Sequence, residues 1–337
     1  MKRKICITHA WHNRIDKNHI IWLNPIMFYE YLRYQKYENK RTFKAMDKNI
    51  EIYLSDIYNI DFDEFTDLFI FITGSIKDEI IDKLDKSKAN IYFIIEDPDY
   101  EISIPSQLIN RSIVLTPYQI LNDKDLDSQH KLLTEICDNY HFDKPKSFKF
   151  LPTGILPLHS KWYQNSIKQN YKLKYKDDRV RQNTKTLSAY CGSLKEDRFY
   201  YFTQQDFDEG IDFYTNRLTK SKLQEMTGLD SSNVICHQKI SPLEVTHALK
   251  QVDNIYFLAE PKMQILDSIY LRYFELAEAN KEIRFRGDKF SVIREQLKFL
   301  DFGMKDNKLD LYELRKAWSK YKYEFDSTIL ELLNIEE

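Results

Sequence analysis

The chain has 337 residues, 42% of them hydrophobic and 30% charged, which is too long for one ordinary core and suits two globular domains. Its formal net charge of −2 gives no support to a nucleic-acid partner gripped mainly through the phosphate backbone, although 50 Lys and Arg can still gather on one face. No apolar run reaches the roughly 18 residues of a membrane helix, and the apolar part of the basic start MKRKICITHAW is too short for a signal peptide, so a cytoplasmic protein with no membrane contact is expected.

The elements alternate from the start. Residues 4–8 (KICIT) read as a first strand, followed by a loop over 9–19 that carries three His, an Arg and an Asp. Apolar residues at three-to-four spacing predict a helix over 20–37. Strands follow at 50–54 (IEIYL), 67–73 (DLFIFIT), 91–95 (IYFII) and 112–115 (SIVL), with a charged amphipathic helix over 76–88. Near-continuous apolar strands alternating with helices predict a parallel sheet covered on both faces over about the first 150 residues.

The stretch 144–159 (KPKSFKFLPTGILPLH) holds three prolines and a glycine and suits a linker or hinge. Residues 161–185 are polar and without a strong period. The alternation then restarts: a strand at 187–191, a helix continuing over 199–208, and strands at 211–214 (IDFY), 233–237 (NVICH), 254–258 (NIYFL) and 282–285. Ser241-Pro242 caps a helix over 243–250, a strongly amphipathic helix covers 265–280, and a long helix covers 309–333. The expected fold class is therefore α/β with two Rossmann-like domains facing across a cleft. The expected divisions are 1–150, a hinge over 151–185, a second domain over 186–308, and a C-terminal segment 309–337 that packs back across the hinge.

Ligands of such sheets bind outside the carboxyl ends of the strands, so the residues there are the candidates. In the segment 186–198, TLSAYCGSLKEDR, a strand breaks at Gly192-Ser193 and opens onto a charged stretch. Backbone N–H groups at such a helix start, with Lys195 and Arg198 just beyond, suit a diphosphate. The alternative is an ordinary strand-to-helix turn with surface charges. Arg272 and Glu275 are three apart on one helix face; they are either a surface ion pair or a phosphate and ribose-diol pair. Asp97 directly follows a buried strand and is either a turn former before Pro98 or a general base. The four cysteines (Cys6, Cys137, Cys191, Cys236) form neither a disulfide framework nor a zinc pattern. No GxGxxG, Walker motif, metal-ligand cluster or Ser-His-Asp ordering is present, which argues against a nicotinamide dehydrogenase and leaves no residues that demand a divalent metal.

In order and spacing over most of its length, the chain resembles the DNA β-glucosyltransferase family of T-even phages, two-domain enzymes of the GT-B class. The matching stretches are Tyr190-Cys191-Gly192-Ser193-Leu194-Lys195-Glu196-Asp197-Arg198, then Ile211-Asp212-Phe213-Tyr214-Thr215-Asn216, then Lys239-Ile240-Ser241-Pro242, then Leu271-Arg272-Tyr273-Phe274-Glu275, and in the first half Ile94-Ile95-Glu96-Asp97. The resemblance implies that Gly192, Ser193, Arg198 and Arg272 hold the diphosphate of UDP-glucose, with Lys195 the other basic residue after Gly-Ser and Asn216 in the donor-side turn. It implies that Glu275 binds the ribose, that the backbone near Ile240 faces the uracil, and that Asp97 deprotonates the acceptor hydroxyl. The implied protein is a monomer that moves a sugar from a UDP-sugar to the hydroxymethyl group of a modified base in double-stranded phage DNA. The family's first loop is rich in glycine and asparagine, whereas residues 8–19 here are rich in His and Trp. That departure leaves open a protein, wall-polymer or small-molecule acceptor, or a non-catalytic nucleotide-binding scaffold.

Overall fold

The computed structural model describes residues 3–10, 20–37, 50–95, 101–117, 124–136, 139–156, 188–191, 199–215, 217–237, 252–258, 282–286 and 311–333, with a few isolated positions between them. The chain divides into two compact units. The first comprises Met1–Trp162, Ile265–Leu271 and Ser319–Glu337, and the second Tyr163–Gln264 and Arg272–Trp318.

The strands of the first unit are β1 (Arg3–His9), β2 (Ile50–Leu54), β3 (Asp67–Ile72), β4 (Asn90–Ile95), β5 (Ile102–Ile104), β6 (Ile113–Thr116), β7 (Tyr140–Phe142) and β8 (Ser147–Phe150). Six of them form a sheet in the order β2-β1-β3-β4-β6-β8, every neighbouring pair parallel. All six residues of β3 (DLFIFI) are buried, as a central strand covered on both faces requires. At the edge, β8 (SFKF) instead alternates, with Phe148 and Phe150 buried between half-exposed neighbours. The proline-rich stretch that composition marks as a hinge therefore begins as a sheet strand. Leu151, Ile155 and Leu156 beyond it are also fully buried. The short pair β5 and β7 was not legible as strands.

Helix α1 (Ile20–Tyr37) lies over the sheet through Phe28, whose ring meets Phe69 at 5.3 Å and Phe71 at 6.0 Å, edge to face. The C-terminal helix (Leu311–Leu332) joins the same face: Phe325 meets Tyr31 at 4.9 Å and Phe28 at 6.0 Å. Polar contacts fix it there. Tyr31 Oη donates to the buried Asp326, Thr328 Oγ1 donates to the Phe150 carbonyl at 3.0 Å, and Lys149 pairs with Glu331 at 2.6 Å. Helices α2 (Asp78–Lys86), α3 (Ser106–Ile109) and α4 (Leu126–Ile136) belong to the same unit, α2 burying Ile80, Ile81 and Leu84.

At the amino ends of the strands sits a buried ion pair. Arg3, the first residue of β1, grips Asp67, the first of β3, through two N–H···O bonds of 2.7 and 2.8 Å. The Tyr92 hydroxyl donates to Asp67 (3.3 Å) and the Asn90 amide does so at 3.1 Å. Burial alone would push the Asp67 carboxyl up, but the hydrogen bonds of Arg3 and Thr66 and the Arg3 charge hold it below the usual range. A lowered carboxyl contributes stability above the unfolded-state value of about 3.9, and that stability is lost as pH falls through the lower folded-state value. The acid limb of the stability profile should therefore flatten in Asp67→Asn below about pH 4, read as urea midpoints against pH.

In the second unit, β9 (Ser188–Cys191), β10 (Ile211–Tyr214), β11 (Ile235–His237), β12 (Asn254–Leu258) and β13 (Glu282–Arg286) form a parallel sheet in the order β11-β10-β9-β12-β13. One face is an aromatic core: Phe202 meets Phe213 at 5.2 Å and Tyr256 at 5.3 Å, and Tyr190, Phe199 and Phe207 surround them. Within the span expected as one helix, 199–208, Phe199 is helical, the helix is interrupted over 200–203, and a new one begins at Gln204 as α5 (Gln204–Glu209), where Thr203 and Asp206 make a capping box. Phe199 and Phe202 precede it and fill the core. Asp206, nearly fully buried, also accepts from the Tyr256 hydroxyl at 2.6 Å and so ties α5 to β12. Helix α6 (Lys220–Thr227) starts on a Thr219 cap and ends at Gly228, whose φ of 70° a side chain would resist. The strands β14 (Met304–Lys305) and β15 (Lys308–Leu309) form an antiparallel hairpin. The helices expected over 243–250 and 265–280 lie outside the described residues.

Candidate functional site

Both sheets are of the open, doubly wound kind, and in each the strand order reverses at one place. Successive connections leave β1 toward β2 on one side and continue from β3 on the other, so the first sheet switches between β1 and β3. The second sheet reads third-second-first-fourth-fifth in chain order, so it switches between β9 and β12. Ligand crevices in such sheets open outside the carboxyl ends of the strands, at these switch points.

The second sheet's carboxyl edge is unusually even. Cys191, Tyr214 and His237 pair side by side across β9, β10 and β11, so three strands end in one row. The chain continues from that row into Gly192-Ser193, into Thr215-Asn216 and into the segment before Ile240. The nine site residues expected from sequence, Asp97, Gly192, Ser193, Lys195, Arg198, Asn216, Ile240, Arg272 and Glu275, all lie outside the described residues. What the structure describes is the scaffold that delivers most of them. Gly192 follows the last residue of β9, Asn216 comes two residues after the end of β10, and Ile240 three residues after the end of β11. In the first sheet Ile95, the last residue of β4, precedes Asp97 by two and pairs with Ile72 of β3.

The second sheet also carries polar groups to which the sequence assigns no role, apart from the place of His237 at a strand end. Asp212, fully buried on β10, accepts from His237 Nε2 at 3.2 Å and from the Tyr214 hydroxyl at 3.4 Å. The His237 and Tyr214 rings stack at 4.5 Å with 3° between their planes. Arg217 adopts φ 67°, a conformation uncommon outside glycine, directly after the Asn216 position. At the first sheet's switch point, His9 is buried at the end of β1 with Nε2 3.2 Å from Thr73 Oγ1, and its ring lies 6.0 Å from that of Trp22. The sequence signal for His9 was its place at a strand end. Nothing in the sequence marks the Asp212–His237 pairing, because strand register alone creates it.

Three cysteines lie on these strands, Cys6 on β1, Cys191 at the end of β9 and Cys236 on β11. Burial pushes the thiols of Cys6 and Cys191 up to about 12 and that of Cys236 to about 11, so all three stay protonated at neutral pH. Among the described residues there is no group of three or more His, Cys, Asp or Glu placed to hold a metal ion. Among them, too, no helix is long and apolar enough to cross a membrane.

No family model and no curated protein matches the chain. Solved structures do. A mutant of T4 phage β-glucosyltransferase in complex with UDP-glucose superposes with a TM-score of 0.57 at 16% identity, covering 97% of this chain and 99% of that one. The DNA-modifying enzyme β-glucosyltransferase, solved with and without UDP-glucose, gives a TM-score of 0.57 at 14% identity over 98% of this chain and 100% of that one. T4 phage β-glucosyltransferase with its UDP-glucose substrate gives 0.56 at 15% identity over 97% and 98%. The fold is thus α/β, with parallel sheets and helices, and its structural neighbours are GT-B glycosyltransferases.

Proposed function

We propose that the chain is a glycosyltransferase that moves a sugar, glucose in the first instance, from a UDP-sugar to the hydroxymethyl group of a modified base in double-stranded DNA. The observation that carries this reading is the even row of strand ends at Cys191, Tyr214 and His237, beside the switch point of the second sheet, from which the chain runs into Gly192-Ser193. Full-length likeness to β-glucosyltransferases solved with UDP-glucose supports the donor. The description of one of them as a DNA-modifying enzyme supports the acceptor.

In this reading Gly192 and Ser193 offer backbone donors to the diphosphate, and Lys195, Arg198 and Arg272 supply positive charge. Glu275 accepts from the ribose hydroxyls, Asn216 lines the donor-side turn, and the backbone near Ile240 faces the uracil. Asp97 takes the proton of the acceptor hydroxyl as its oxygen attacks the anomeric carbon. The bond from that carbon to the UDP oxygen breaks in line, and the cations stabilise the charge growing on the departing UDP. Lys and Arg can carry that charge without a divalent metal.

The net charge of −2 favours one second reading, the same transfer to an acceptor other than DNA. Donor binding tests what the two share. Arg272→Ala should lose the cation at the diphosphate and weaken UDP by roughly 10- to 100-fold, about 1.5–3 kcal/mol for a hydrogen bond to a charged group. Calorimetric titration of UDP into both proteins measures it, and equal affinity would remove Arg272 from the donor site.

A further inference from the structure

The transfer step has no use for Asp212, yet it is a fully buried carboxylate on β10, two residues before the strand end beside which the donor is proposed to bind. Residues alternate along a strand, and its neighbours Ile211 and Phe213 belong to the aromatic core, so Asp212 faces the other side of the sheet. A buried carboxylate is costly unless it is well hydrogen-bonded. Here its Oδ2 accepts from both His237 Nε2 and the Tyr214 hydroxyl, and Tyr214 in turn stacks flat on the His237 ring. The imidazole is thus held by a hydrogen bond in its plane and by an aromatic ring against its face. Its backbone is pinned by the β10–β11 pairing of Tyr214 with His237.

His237 is the last residue of β11. Two strand spacings of about 4.8 Å separate β11 from β9, so the β11 exit lies on the order of 10 Å from the β9 exit where the diphosphate is proposed to sit. That is the span over which a nucleoside extends from its diphosphate. We infer that Asp212, Tyr214 and His237 form an anchor at the exit of β11 that sets selectivity for a pyrimidine nucleoside diphosphate. They are positioning residues. The inference rests on the UDP-sugar reading of the same site.

Affinities for UDP and ADP, measured by calorimetry on the full chain, test it. Wild type should prefer UDP. His237→Ala should weaken UDP about tenfold, equivalent to about 1.4 kcal/mol, and leave ADP nearly unchanged, so that the preference collapses. His237→Gln, whose side-chain amide can still donate to Asp212, should recover most of the preference. Asp212→Asn, of the same volume, should lose part of it. Melting curves identify any variant that does not fold, and the two conservative replacements then carry the comparison. An unchanged UDP-to-ADP ratio in His237→Ala and Asp212→Asn would overturn the inference while leaving the donor reading intact. A wild-type protein that binds UDP no better than ADP would overturn the donor reading and the inference together.

Discussion

Asp97→Asn should bind UDP as wild type does and transfer sugar about 10²- to 10⁴-fold more slowly, the range a general base contributes. The carboxylate is the only group assigned to receive the acceptor's proton, and an amide of the same size cannot receive it. The donor is assigned to the second unit, so its affinity has no reason to change. The two readouts therefore split: kcat falls while the UDP dissociation constant holds. A loss of both would point to a folding defect near the end of β4. Normal transfer by Asp97→Asn would remove Asp97 as the base and turn attention to His9, the buried histidine at the first sheet's switch point.

Arg3→Met should cost about 3–5 kcal/mol of unfolding free energy, the usual penalty for stranding one partner of a buried pair. Asp67 has no exposed side-chain surface, whereas Arg3 keeps 22%, so removing the arginine leaves the worse orphan. The same guanidinium donates to the Leu332 and Leu333 carbonyls at the end of the C-terminal helix, where positive charge is favoured. Losing it should also loosen that helix. The double variant Arg3→Met, Asp67→Leu should recover much of the loss, because an apolar pair of similar volume leaves no buried charge behind. Urea midpoints with unchanged slopes would measure it. A single-variant cost below about 1 kcal/mol would mean that water reaches Asp67 and the pair behaves as a surface one.

Much of this architecture was legible because parallel strands buried on both faces read as unbroken apolar runs. β10 and β12 match the expected bounds residue for residue, and β3, β4 and β9 differ by one at an end. The misses have a common cause. β5 and β7 are three residues long, β8 has only four residues and sits among prolines, and α6 buries only Leu223, so none carries a period over enough residues to be read. The helix expected over 199–208 is broken over 200–203 because Thr203 and Asp206 cap a new start from within it. On the site side, glycine at the end of β9 was legible because glycines are scarce in the chain. The Arg3–Asp67 and Asp212–His237 pairs were not, since they join residues 64 and 25 apart whose meeting depends on strand order and register.

The most direct measurement is transfer of labelled glucose from UDP-glucose to three duplexes, containing 5-hydroxymethylcytosine, 5-hydroxymethyluracil or only unmodified bases. Label should appear in hydroxymethylated DNA and not in unmodified DNA, and Asp97→Asn should label hydroxymethylated DNA about 10²- to 10⁴-fold more slowly. Failure of the wild-type protein to label any of the three would contradict the proposed transfer.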